Sequence, residues 1–268
     1  MNSLLKCLIV PKFIAFALLN LITFSGNQAD EGPNAQVLLE KWDSEMKLEK
    51  GTYFLRISKK QGTTTIMEAD STLMVGDEQK RFYFFSKPGE EAHLKFFASN
   101  TEKVLAVLKR GSSRIEKLSP MDSVEQTAQG TSFSYYDLSG VQLEANYTVD
   151  TVETYESVDK QYWKVHIRPL NKATYGKLLV YLEKETLQPY RIDYFSRTGI
   201  MKKILRVRYG KVSVDDQKQK SEKEIVKKLE MTDFENDEKS IIEIESLKIN
   251  PLPDSELFSI KNLSFLEK

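Results

Sequence analysis

The chain is poor in the residues on which most protein chemistry is built. It has one cysteine, Cys7, and two histidines, His93 and His166. A lone thiol can form neither an internal disulfide nor a thiolate metal cluster. His166 shares a strand face with Lys164 and Arg168, and two cations make it a poor metal ligand. His93 follows Glu90-Glu91-Ala92. That Glu-x-x-His spacing serves helical metal sites, which need a second copy and more carboxylates. No metal and no cofactor is therefore expected. GxSxG, HExxH, the phosphate loop and the dinucleotide fingerprint are all missing. Carboxylates abound, but they fall on solvent faces of strands and in turns, and no pair stands out. The expectation is a protein that is not an enzyme, with no catalytic residues. Nor is there an excess of positive charge: 39 basic residues balance 39 acidic ones, which argues against a nucleic-acid partner.

Long apolar runs are also missing. The longest is at 13–24, twelve residues interrupted by Asn20, against the roughly 20 needed to span a bilayer. Lys6 and Lys12 precede it, and the small-residue stretch Ser25-Gly26-Asn27-Gln28-Ala29 follows. This order predicts a secretory signal at 1–29, cut near Ala29–Asp30, and hence an exported protein. Cys7 lies inside that signal. Cutting 29 residues from 268 leaves 239, expected as a single domain over 30–268 with 37 basic and 39 acidic residues. At 40% hydrophobic and 29% charged, the composition is that of a folded, well-solvated chain.

What the chain does contain is one helix and many strands. Ala35, Leu38, Leu39, Trp42 and Met46 fall on one helical stripe, with Asn34 as N-cap. From Tyr53 onward the apolar period is two, up to a last run at 240–249. Turn signals such as Gln188-Pro189, Thr198-Gly199 and Asn236-Asp237 separate the runs. Short connections predict an antiparallel sheet of about eleven strands. The charge run at 215–228 reads as a long solvated turn. Several strands are apolar on both faces: Phe82 and Phe84 oppose Tyr83 and Phe85, and Leu178, Val180 and Leu182 oppose Leu179 and Tyr181. Such strands need cover on both sides. A curved sheet with helices on its concave face would supply it, and so would a β-sandwich.

Residues 130–139 are the least generic stretch: one charge, Asp137, among Phe133, Tyr135, Tyr136 and small hydroxyl or glycine positions. Before them come Phe84-Phe85-Ser86-Lys87-Pro88, Leu94-Lys95-Phe96-Phe97, 103–108 and 114–120; after them comes the tail 251–258. This order resembles the LolA-like outer-membrane lipoprotein-sorting proteins. The family's aromatic and proline are missing at 106–109, and its acid is missing from the Gly130-Thr131-Ser132 lead-in. The resemblance implies an open, curved sheet (an incomplete barrel) whose N-terminal helix and short helices cover the concave face. It also implies a periplasmic carrier of the acyl chains of a lipid or lipoprotein. Its partners would be an inner-membrane donor and an outer-membrane acceptor. Leu38, Trp42, Phe84, Phe96, Phe133, Tyr135, Tyr136 and Leu138 are the candidate ligand-binding residues. The founding carriers latch their lid with an arginine, and the nearest position here is Arg81, which the resemblance does not assign to that role. Asp137 is read as fixing a local turn. The alternative is a periplasmic sensor or envelope-assembly adaptor on the same fold, binding a protein partner.

Overall fold

Among the described residues, thirteen strands form one sheet, laid down as two meanders. The computed structural model describes residues 33–86, 94–172, 174–216, 219–249, 251 and 253–264. The expected signal at 1–29 and His93 lie outside them. The first meander runs β1 (Gly51–Gln61), β2 (Thr64–Val75), β3 (Arg81–Ser86), β4 (Leu94–Ser99), β5 (Val104–Lys109) and β6 (Glu116–Lys117). The second runs β7 (Tyr147–Glu156), β8 (Gln161–Pro169), β9 (Lys177–Glu183), β10 (Pro189–Phe195), β11 (Met201–Asp215), β12 (Lys220–Asp233) and β13 (Glu238–Lys248). The spatial order is β6-β5-β4-β3-β2-β1-β13-β12-β11-β10-β9-β8-β7, so the meanders join where β1 pairs antiparallel with β13. The sheet is open and mainly antiparallel, as the short connections require. The count is thirteen rather than about eleven. Alternation marks faces, whereas strand number is set by where the hydrogen-bonded ladders break, and β6 is only two residues long.

β6 and β7 are consecutive in the chain but lie at opposite edges of the sheet. The segment between them must therefore cross a face. It does so as α2 (Pro120–Glu125), a 3-10 turn (Ala128–Gly130), α3 (Tyr135–Leu138) and α4 (Leu143–Asn146). We call this segment the plug and the face it crosses the inner face. The N-terminal helix α1 (Ala35–Glu45) lies on the same face, capped by the Asn34 side chain, which accepts from Gln36 N. Leu38, Leu39 and Trp42 of its stripe are buried in the same core as Tyr53, Leu55 and Ile57 of β1. Asp43 ties helix to plug: its two carboxylate oxygens accept from Leu143 N at 2.8 Å and Glu144 N at 2.9 Å.

The doubly apolar β3 is covered on both sides, by different parts of the chain. Tyr83 and Phe85 join the inner core. Phe82 and Phe84 face outward and meet Phe97, Leu108, Phe258 and Leu263. The last two come from the C-terminal segment, whose 3-10 turns span Ser255–Leu257 and Ile260–Ser264. Phe258 lies against Phe82 at 5.6 Å between ring centroids, and it packs so closely over Gly76 that a Cβ there would sit 2.6 Å from the ring.

The charge run at 215–228 is not a long turn. Only 216–219 lie between β11 and β12, and the two strands are paired through Asp215–Lys220. Its charges stay solvated on the outside of a hairpin as they would in a turn, so composition does not separate the two. The hairpin overshoots the sheet. β12 leaves β13 beyond Lys228–Glu243, after a bulge at Arg208/Tyr209, and Ser213–Asp215 of β11 run parallel to Ser246–Lys248 of β13 instead. Val212, Val214 and Val226 of this tip are buried in the inner core.

The outer cover by the C-terminal segment predicts a large core effect. Phe258→Ala should cost about 3–5 kcal/mol, the usual range for emptying a buried phenylalanine site, measured by urea unfolding. A midpoint that does not move would mean that the tail is not part of the folded core.

Candidate functional site

A cavity of about 350 Å³ lies between the inner face of the sheet, the end of α1, the plug and the hairpin tip. The sheet supplies a wall of period-two positions: Leu55, Leu178, Ile192, Leu205, Leu229, Ile242 and Ile244. These positions share a face because alternate residues of a strand do. The plug contributes Tyr136, Leu138, Val141 and Leu143, and α1 with the residues after it contributes Trp42, Met46 and Leu48. Ile225 and Val226 close the cavity from the hairpin tip. The lining is therefore mainly apolar; Arg81 and Asp137 stand at the plug, and the other charges gather where the end of α1 meets the hairpin tip. There Glu49 pairs with Lys223, and Tyr209 reaches Glu45 at 3.4 Å, so the tip is tied to the end of α1.

Segment 130–139 is held by its own polar groups. Ser134 caps α3, its Oγ accepting from Asp137 N, while Asp137 Oδ2 accepts from Ser134 N at 2.8 Å. That reciprocal capping box explains why both residue types occur at this spacing, and it gives Asp137 the turn-fixing place expected of it. Asp137 Oδ1 also accepts from the Tyr175 hydroxyl at 2.9 Å, and Lys203 of β11 lies 3.5 Å from Oδ2. Ser132 N donates to Ser240 Oγ of β13 at 2.8 Å. Two sheet groups then grip the plug from β3. Arg81 Nη1 and the Tyr83 hydroxyl both donate to Leu138 O, at 3.2 and 3.0 Å. Asn100 Nδ2 donates to Gly140 O at 2.6 Å. Gly140 has φ +73°, and the Arg81 guanidinium occupies the space that a Cβ would need. Both the turn and the arginine therefore require glycine.

The candidate residues fall into three groups. Trp42, Tyr136 and Leu138 line the cavity. Leu38, Phe96, Phe133 and Tyr135 are buried in the inner core beside it, with Phe96 against Tyr135 at 5.0 Å. Phe84 lies on the outer face under the C-terminal segment. Sequence reasoning did not single out Tyr147, Tyr194 and Tyr209 or the hairpin tip. Tyr194 could have been found, since it shares its face with Ile192. The tip could not, because its inward turn depends on pairing with β13. His166 lies on the outer face, 2.9 Å from Glu153, whose carboxyl the Lys164 and His166 hydrogen bonds hold down at about 2. Among the described residues, no group of three or more His, Cys, Asp or Glu is placed to hold a metal, and no helix is long and apolar enough to cross a membrane.

An open sheet, a plug across its inner face and an apolar cavity between them define the LolA-like fold. The chain superposes on a LolA superfamily protein from Nitrosomonas europaea with a TM-score of 0.67, at 16% identity over 85% of this chain and 98% of that one. It superposes on a putative outer-membrane lipoprotein-sorting protein domain from Vibrio parahaemolyticus with a TM-score of 0.69, at 16% identity over 86% and 99%. A DUF1329 family protein from Desulfovibrio piger gives 0.67, at 13% identity over 85% and 97%. No curated protein matches the chain. A family model described as "-like: Uncharacterized protein" matches residues 77–264, and the chain belongs to that family.

The fit of Arg81 against Gly140 can be tested directly. Gly140→Ala should destabilise the protein by more than about 1 kcal/mol and speed amide exchange at 138–141, as Arg81 is pushed off the Leu138 carbonyl. Unchanged exchange there would mean that the arginine does not hold the plug. The buried phenols make a second expectation, in alkali. Burial pushes the Tyr135 and Tyr147 phenols up from 10 to about 12, and Tyr175 and Tyr194 well above their ordinary value. Above pH 10 the native state then binds more protons than the unfolded one, so stability falls as pH rises from 10 to 12. Unfolding free energies across pH 9–12, with tyrosinate absorbance, check this. A flat profile would contradict it.

Proposed function

We propose that this protein is a periplasmic carrier, exported by a cleaved signal at 1–29, that holds the acyl chains of a lipid or lipoprotein between sheet and plug. The observation that carries the reading is the cavity itself. It is bounded by sheet, helix, plug and hairpin tip, has mainly apolar walls and lies within the roughly 300–1,000 Å³ typical of small-molecule sites. The fold supports it, since superposed proteins of known structure include one described as a lipoprotein-sorting domain. The chemistry is binding: reversible burial of apolar surface, worth about 25 cal/mol per Å².

Arg81 is the latch of this mechanism. In the closed form its guanidinium and the Tyr83 hydroxyl share one plug carbonyl. A ligand larger than the cavity must lift the plug and break both bonds. Delivery then needs a donor at the inner membrane and an acceptor at the outer membrane, where reclosing of the latch helps expel the cargo. Trp42, Tyr136 and Leu138 are the ligand-contacting members of the candidate set.

Filling the cavity tests this. The double variant Leu205→Phe, Ile242→Phe should lower the affinity for a fluorescent acyl probe at least about tenfold, the cost of a lost apolar contact surface of some 1.4 kcal/mol or more, while circular dichroism stays that of the parent. Native preparations of the parent should carry lipid extractable by organic solvent. A protein that binds no acyl probe and instead purifies in a lipid-free complex with another protein would favour the adaptor reading and sink the carrier.

A further inference from the structure

One wall of the cavity is not hydrocarbon. Where α3 faces β7 and β10, the hydroxyls of Tyr136 and Tyr147 meet at 3.1 Å. Tyr194 stands in the same cluster, its ring edge-on to Tyr175 at 4.7 Å between centroids. Tyr136, Tyr147 and Tyr194 all line the cavity. Tyr194 is only 6% exposed, and its hydroxyl makes no hydrogen bond among the described residues. That hydroxyl is not among the fully enclosed polar atoms that lack a partner, so it opens onto the cavity, and a ligand that covered it without accepting from it would leave it bare at a cost. A donor left open at the wall of a cavity points to a ligand group that accepts.

The neighbouring charge decides which acceptor. Asp137 lines the same cavity, and its oxygens are already taken by the Tyr175 hydroxyl at 2.9 Å, Ser134 N at 2.8 Å and, at 3.5 Å, Lys203. The Tyr194 hydroxyl donates to neither Asp137 oxygen in this structure. Burial first, and then the negative charge of Asp137, favour the protonated phenol, so Tyr194 stays a donor. A carboxylate entering here would meet Asp137, with the nearby cation already paired. A bare alkyl chain would leave the phenol unsatisfied. A neutral carbonyl avoids both penalties.

We propose that Tyr194, with the Tyr136–Tyr147 pair beside it, forms a subsite that hydrogen-bonds the ester carbonyl of an esterified acyl chain and discriminates against the free fatty acid. This rests on the carrier reading and narrows it from acyl chains in general to acyl esters.

The test is displacement of a fluorescent acyl probe from the full chain at pH 8 by methyl laurate and by sodium laurate. The ester should bind at least about tenfold tighter than the carboxylate. Tyr194→Phe should weaken the ester about three- to tenfold, the worth of one neutral hydrogen bond, and leave laurate unchanged. The same variant should not lower the unfolding midpoint, because it removes a hydroxyl with no protein partner among the described residues. Ester and carboxylate binding alike, or an ester affinity indifferent to Tyr194→Phe, would overturn the subsite while leaving the carrier standing. Failure of every acyl compound to bind would overturn both.

Discussion

An irregular stretch of backbone cannot lie on an apolar surface unless its amides and carbonyls are satisfied where they stand. The plug meets that constraint, and the rest of the molecule is arranged around how it does so. Two capping boxes, Ser119 with Asp122 and Ser134 with Asp137, bond the starts of α2 and α3 to themselves. Asp43 satisfies the start of α4 from a different helix. The carbonyls at the far end of α3 are served from the sheet side by Arg81, Tyr83 and Asn100. The plug is thus polar toward its anchors and apolar toward the core. It is fixed at a few points and does not interdigitate along its whole length, which leaves space beneath it.

That arrangement explains why a cavity survives in a chain with so many aromatic residues. On the β3–β5 side, Phe96, Phe133 and Tyr135 fill the gap between sheet and plug. Toward the second meander the wall positions are mostly aliphatic, with Tyr147, Tyr194 and Tyr209 among them, and the space opens. The overshooting hairpin closes that end with Ile225 and Val226. Its parallel pairing with β13 covers three residues, and side chains tie it to the end of α1, among them the Lys223–Glu49 pair and the Tyr209–Glu45 contact. Exposed ion pairs contribute little, about 0–1 kcal/mol. Of the two covers on the cavity, the hairpin tip is therefore held mainly by the burial of Val212, Val214 and Val226, and the plug by buried hydrogen bonds as well.

Much of this was legible in the residues. The α1 stripe from Ala35 to Met46, the alternation from Tyr53 onward and the two-sided apolarity of β3 each state a local geometry, and each geometry is what formed. The order of motifs from Phe82 to Ser139 carried the fold. The outer cover was not legible, because Phe258 and Leu263 lie among 3-10 turns too short to show a period. Nor was the curl of 209–226, whose inward face depends on a bulge and on a partner strand far along the chain. The division of the aromatic candidates was illegible for a deeper reason. Trp42 and Tyr136 line a void, and Phe96 and Tyr135 fill one, yet all four are large apolar side chains on inward faces. Composition records that a side chain is withdrawn from water; it does not record whether anything occupies the other side.

The energetics of opening follow from the number of anchors. A hydrogen bond involving a charged group contributes about 1.5–3 kcal/mol and a neutral one about 0.5–1.5. Arg81, Tyr83 and Asn100 together thus hold the end of α3 with only a few kcal/mol. Covering a few hundred Å² of acyl chain returns several kcal/mol at about 25 cal/mol per Å². The two quantities are of the same size, which is the condition the proposed carrier would need in order both to load and to unload. A tighter plug would exclude cargo, and a looser one would keep it. The single carbonyl shared by Arg81 and Tyr83 is where that balance is most sensitive, because losing its position breaks two bonds at once.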